Sequence, residues 1–214
     1  MPASAAAAWP SPGRFALALG LGFALTLAAA WAWGTLLIEA VLPITRHALA
    51  WIDDRFVILF LGVDQDVQDT VVRLRVNIAQ LFVMGGRVID PHVHGWLQVT
   101  TTIGAMLQPL VIAPAIAFAL PGRPLARAGA VALAALLAFA FLLLDLPLTL
   151  FAYVWDMMVA KLEPGRASPL LLWHTFLLGG GRLGLGVALG VAGWWLAHAR
   201  RMRAPSPETA CRST

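Results

Sequence analysis

The stretch FAFLLLDLPLTLFAY, Phe139 to Tyr153, decides what kind of protein this is. It carries one charge, Asp145, near the middle of a run that is otherwise almost wholly apolar. A carboxylate at the centre of a bilayer costs about 2.5–3.5 kcal/mol on insertion scales, so it normally turns toward a bundle interior or a partner charge. The whole run, roughly 128–155, is longer than the ~20 residues an α-helix needs to cross hydrocarbon. A transmembrane helix with a buried acid is the first expectation, and the rest of the chain must supply what compensates the acid.

Three other runs have the same character. Residues 15–43 hold Glu39 as their only charge, 96–120 are interrupted by Pro109 and Pro114, and 169–196 are broken by Gly179-Gly180-Gly181-Arg182. The chain as a whole is 60% hydrophobic and 12% charged, against roughly 25% charged for soluble domains. The expected fold is a membrane protein, mainly α. It has four transmembrane helices (15–43 and about 96–120, 128–155 and 169–196) and a small α/β insertion between the first two. Residues 1–14 form a leader, 44–95 the insertion, 96–199 the three-helix part and 200–214 a polar tail. A variant of this reading makes 169–178 a short interfacial or re-entrant piece, with the last span starting near Arg182. Ala30-Trp31-Ala32 resembles a signal-peptidase site, but the apolar region is long for a cleaved signal, and a retained anchor is expected. The aqueous part is too small for a large soluble enzyme.

Orientation follows from the short loops. PGRPLAR carries Arg123 and Arg127 without an acid, and the last span is followed by Arg200, Arg201 and Arg203. Both flanks belong on the cytoplasmic side by the positive-inside tendency, and Arg14 agrees. In a bacterium, both termini are then cytoplasmic and 44–95 periplasmic, with the chain in the inner membrane. The same argument accounts for the high pI. Net charge is only +4, and the basic residues sit singly or at segment ends, so no nucleic-acid groove is expected. Cys211 is the sole cysteine, which excludes an internal disulfide, and the ending CRST lacks the aliphatic pair that prenylation needs.

Within the insertion, Val72, Leu74, Val76 and Ile78 alternate with Arg73, Arg75 and Asn77, the period-two signal of a half-buried strand. FVILFLGV (56–63) precedes it across the polar DQDVQD, so a β-hairpin is expected, with a third strand in LFVMGGRVI. ITRHALAWIDD reads as a short amphipathic helix continuing from the first span.

Depth counting nominates the partner of Asp145. Asp145 lies ~10 residues from Trp155 and Arg182 ~13 from Pro169, so in antiparallel neighbours the two depths differ by only about 5 Å. An Asp145–Arg182 ion pair is the expectation, and its ordinary role is to fix helix register. Two other motifs are weaker. Asp90-Pro91-His92-Val93-His94 locally resembles the D-x-H-x-H metal signature of amidohydrolases, and His92 and His94 at i, i+2 of an extended segment could share a metal. That family sets the motif in a large (β/α) barrel, which this chain cannot build, so an interfacial turn is the plainer reading and no cofactor is expected. Gly184-x-Gly186-x-x-x-Gly190 has no preceding strand. Gly180/Gly184 and Gly186/Gly190 fit close helix packing instead of a nucleotide loop. No nucleophile arrangement stands out, because the serines lie in tails or a turn and the cysteine in the tail.

The order of features resembles small membrane proteins encoded alongside exosortases, in particular the exosortase H-associated type. The resemblance lies in VLPITRHALAWIDDRFVILFL, VVRLRVNI, VTTTIGAMLQPLVIAPAIAFALPGR, LLLDLPLTL and GGGR. It covers most of the chain from about residue 35, as pattern and topology. Exosortases are thought to use a Cys/Arg/His set within the membrane. This chain has no membrane Cys, so the resemblance implies an accessory partner and not the transpeptidase. The expected function is a non-enzymatic accessory or assembly protein in contact with lipid and a membrane protein partner. A small transporter or channel subunit using Asp145 and Arg182 is the alternative.

Overall fold

The structure, a computed structural model, describes residues 11–91 and 95–202. The chain opens with α1, Pro12–Ile52, and then folds a compact β layer before returning to helices. The strands are β1 (Phe56–Asp66), β2 (Asp69–Ile78), β3 (Phe82–Met84), β4 (Arg87–Ile89) and β5 (Leu97–Thr102). The helices that follow are α2 (Ile103–Ala119), α3 (Pro124–Leu162), α4 (Pro169–Phe176) and α5 (Arg182–Met202). The protein is thus mainly helical with a small antiparallel sheet. Three stretches, Pro12–Ile52, Pro124–Leu162 and Pro169–Ala199, are long and apolar enough to cross a membrane, and α2 is a shorter apolar helix.

Helix α2 sits at the centre of the bundle, against α1, α3 and α5. Close approaches fix the alignment. A Cβ at Gly34 of α1 would meet Leu107, and one at Gly22 would meet Ala115 and Phe118, so α1 and α2 run antiparallel. Glycines of α5 then climb α2 in parallel, Gly186 against Pro109 and Ile112 and Gly190 against Ala113 and Ile116. Gly193 meets Ala134 of α3. The small residues Ala113, Ala117, Ala130, Ala134 and Ala138 form the seam, fully buried. Without a hydrophobic drive between helices in lipid, such small-residue seams allow the close van der Waals contact that holds them. The proline of α2 at 109 is buried here as well, and Thr26 of α1 donates its hydroxyl to the carbonyl of Val111 at 2.9 Å.

The β layer begins where the bundle ends. β1 and β2 form an antiparallel hairpin with a bulge between Ile58 and Phe60, and β5 pairs antiparallel on the far side of β2. The hairpin turn is Val67-Gln68, flanked by Asp66 and Asp69, and Val67 adopts φ 57° while 96% exposed. The alternation in β2 behaves as expected, with Val72, Leu74, Val76 and Ile78 buried and the arginines at the margin. What they pack on is the second half of α1 (Ile38, Val41, Leu49) and of α3 (Leu146, Leu150, Val154, Met158), in one core cluster.

Two expectations change here. LFVMGGRVI does not add a third strand to the hairpin; it closes its own ladder, β3 on β4, around Gly85 and Gly86 at φ 60° and 71°. Consecutive positive φ values are what a tight two-residue hairpin turn demands, and glycine supplies them without strain. The third strand is instead β5, taken from the start of the expected 96–120 span. Its β-branched QVTTT suits a pleated ladder, and the helix begins only at Ile103. The apolar run 169–196 is also divided. The chain turns sharply at Gly180, φ 103°, between α4 and α5, which matches the variant with a separate short piece before Arg182.

Candidate functional site at the sheet end of the bundle

Asp145 lies where the bundle meets the β layer, not midway along a lipid-facing rod. Helix α3 has 39 residues, and past Asp145 its apolar side chains serve the core under the sheet. The distance to the other end of the bundle can be counted. Arg127 to Asp145 in α3 and Arg182 to Arg200 in α5 are each 18 steps along the chain, about 27 Å at 1.5 Å per residue. No charge falls between them, and residues 15–38 of α1 and 103–119 of α2 are charge-free over the same levels. That slab is close to the ~30 Å of a bilayer's hydrocarbon. The sequence could not separate lipid-facing from core-facing apolar residues in 128–155, because both are equally hydrophobic.

The structure brings Asp145 and Arg182 together. Arg182 Nε donates to Asp145 Oδ2 at 2.8 Å and Nη2 to Oδ1 at 3.4 Å. Thr149, one turn beyond Asp145, completes the arrangement: its hydroxyl donates to Asp145 Oδ1 at 2.8 Å and accepts from Arg182 Nη2 at 2.8 Å. Side-chain exposure is 0% for Asp145 and 3% for Arg182. A pair so dry is tolerable only because both carboxylate oxygens and two of the three guanidinium nitrogens are matched, since each ion's desolvation costs several kcal/mol. Gly180 makes this possible. The turn it allows ends α4 and starts α5 so that Arg182 falls in the first turn of the last helix, facing α3.

Further residues around the pair were not singled out by sequence. His174 of α4 is buried, stands edge-on to Tyr153 with ring centroids 4.4 Å apart, and has no hydrogen-bond partner for either ring nitrogen among the described residues. Beyond Tyr153 a polar cleft of about 260 Å³ opens, lined by Asp66 and Asp69 of the hairpin turn, Thr100, Thr101 and Thr102 of β5, Tyr153 and Arg182. Thr149 was findable as the i+4 neighbour of Asp145 on one helix face. The hairpin acids were not, because only the strand register carries them back to the bundle.

The remaining sequence candidates separate. Gly186 and Gly190 pack α5 on α2, whereas Gly184 faces open space and Gly180 serves the turn. Of the metal-like motif, Asp90 is engaged in an interaction, and His92 and His94 lie outside the described residues. Among the described residues no group of three or more His, Cys, Asp or Glu side chains could hold a metal.

On and around the β layer, three ion pairs fasten the elements, among them Arg73 of β2 to Asp64 of β1 at 2.6 Å. Arg55 holds Asp53 with two side-chain hydrogen bonds and stacks over Phe82 and Trp155, and the hydrogen bond to Asp53 raises its already high pKa. Glu163, at the end of α3, accepts from Arg166 and from the backbone N–H of Gly85 at 2.7 Å. The Arg166 bond first and the Gly85 bond second hold its carboxyl below the usual glutamate range.

No protein-family model, curated protein or solved structure matches this chain.

Proposed function

We propose that the chain is a non-enzymatic accessory or assembly protein of a bacterial inner membrane. In this reading α1, α2, α3 and α5 each cross the bilayer, both termini are cytoplasmic, and the β layer is periplasmic. Its partner is a membrane protein, in the first instance one of exosortase type, as the resemblance implies. The observation that carries the reading is β1. It is an 11-residue edge strand of the sheet, and Val57, Leu59 and Phe60 along it are exposed. Long apolar edges are normally blunted by charge, proline or a covering element, because they invite another strand. An edge left in this state is suited to β-augmentation, in which a partner's extended segment adds to the sheet.

The alternative, a transporter or channel subunit, draws on Arg182 bordering the polar cleft. Against it, Asp145 has no exposed surface to carry an ion, and both its oxygens are already engaged. Affinity purification of the full chain from its own membranes tests the proposal. An exosortase-type protein should co-purify, and Val57→Lys with Leu59→Lys should reduce its recovery without lowering the bait's abundance. A bait recovered alone, or a partner whose level ignores deletion of this chain, would sink the reading.

A further inference from the structure

The polar cleft beside Arg182 does not end at the hairpin turn. It shares Asp69 and Thr102 with a second groove, of about 650 Å³, that runs between α1 and α2. That groove is apolar below the turn, lined by Leu27, Ala30, Trp31, Leu107 and Val111. The polar part lies at the edge of the charge-free slab, where lipid headgroups sit, and the apolar part descends along the slab. We propose that the two together form a binding site for an aminophospholipid of the phosphatidylethanolamine class, with an acyl chain in the α1/α2 groove. This inference rests on the chain residing in a bilayer but not on the identity of any protein partner.

The chemistry of the cleft is that of a zwitterion. Asp66 and Asp69 face each other across the turn, and neither has an ion-pair partner among the described residues. An ammonium group between them would make charge-assisted hydrogen bonds to both carboxylates. The opposite wall offers donors. Arg182 Nη1 and the hydroxyls of Tyr153 and Thr101 have no hydrogen-bond partner among the described residues, although Thr101 is only 6% exposed. None of these three groups is sealed away from the cleft, so each is free to donate to an anionic group placed there. A phosphate on that wall and an ammonium at the turn reproduce the order of groups in the headgroup. A quaternary ammonium lacks N–H donors, so choline lipids would lose the carboxylate bonds. An anionic glycerol headgroup would meet two uncompensated acids.

The test uses the full chain, purified in detergent, stripped of lipid, and titrated with dioleoyl lipids while native mass spectra and thermal shifts are recorded. Dioleoyl-phosphatidylethanolamine should bind about tenfold more tightly than the choline or glycerol lipid, the factor expected for one charge-assisted contact. Asp66→Asn with Asp69→Asn, at exposed turn positions, should erase that preference while chain-dependent binding persists. Gly104→Leu fills the groove from a position where a Cβ meets nothing within 4 Å, and it should weaken all three lipids. Soluble glycerophosphoethanolamine should bind far more weakly than the intact lipid. Equal binding of the three headgroups, or a preference that survives loss of both acids, would overturn the headgroup assignment. Full binding of the soluble headgroup, or unchanged lipid binding in Gly104→Leu, would overturn the groove.

Discussion

Replacing Asp145 with leucine while leaving Arg182 in place tests whether the pair holds the molecule together. In the native protein Arg182 makes three hydrogen bonds, two to Asp145 and one to Thr149. The variant leaves a guanidinium with Thr149 as its sole partner, at a side-chain exposure of 3%. Removing one member of a buried pair costs about 3–5 kcal/mol, because the surviving charge stays desolvated. Arg182→Met should cost a similar amount, since the Asp145 carboxylate keeps only the Thr149 hydroxyl. The double variant joins two apolar side chains in the same space, and such replacements are often neutral or stabilising. Its cost should therefore fall below about 2 kcal/mol, and the two single effects should miss additivity by at least about 2 kcal/mol. Equilibrium unfolding in mixed micelles, followed by tryptophan fluorescence, measures all four species. Additive losses, or single variants costing under about 1 kcal/mol, would refute the claim that the two charges compensate each other in a dry site.

Other outcomes follow from the same geometry. Gly190→Val should destabilise the bundle by about 1–3 kcal/mol, the usual cost of overpacking, because its Cβ would lie 2.6 Å from the Ala113 carbonyl oxygen. Gly184→Val, with open space at its Cβ, should change unfolding in the same micelles far less. The depressed pKa of Glu163 means that its contribution is fully present above the unfolded glutamate pKa and lost as pH falls through the lower folded value. Hydrogen exchange at the Gly85 amide should accelerate over that acidic window in the native protein, while Glu163→Gln should show fast, pH-corrected exchange at neutral pH as well. For topology, a membrane-impermeant maleimide should label Val67→Cys, in a Cys211→Ser background, on intact spheroplasts. Native Cys211 should react only after permeabilisation, and the reverse pattern would invert the orientation.

Much of the architecture could be read from residue types. The β1–β2 hairpin followed from the alternation in VVRLRVNI, and Asp145 and Arg182 from their isolation in apolar runs. The limits were physical as well. Leu144 and Leu146 are alike in sequence, yet the first is 65% exposed and the second fully buried, and only the packing of α3 distinguishes them. QVTTT looked like the start of a span because threonine is tolerated in membrane helices; its strand state is decided by its neighbour β2, distant in sequence. The polar cleft was illegible for the same reason. Its walls come from the hairpin turn, β5, α3 and α5, and no short window contains more than one of them.

Helices α1 and α3 each run without a break from the charge-free slab into the core of the β layer. At 1.5 Å per residue, α3 is a rod of about 58 Å, and no loop separates its two halves. The β layer consequently has no hinge against the bundle. If the bundle tilts to suit a thinner or thicker bilayer, β1 must swing with it, by a distance that grows with height above the slab. The orientation in which that strand edge is presented is then coupled to the mechanics of the surrounding lipid.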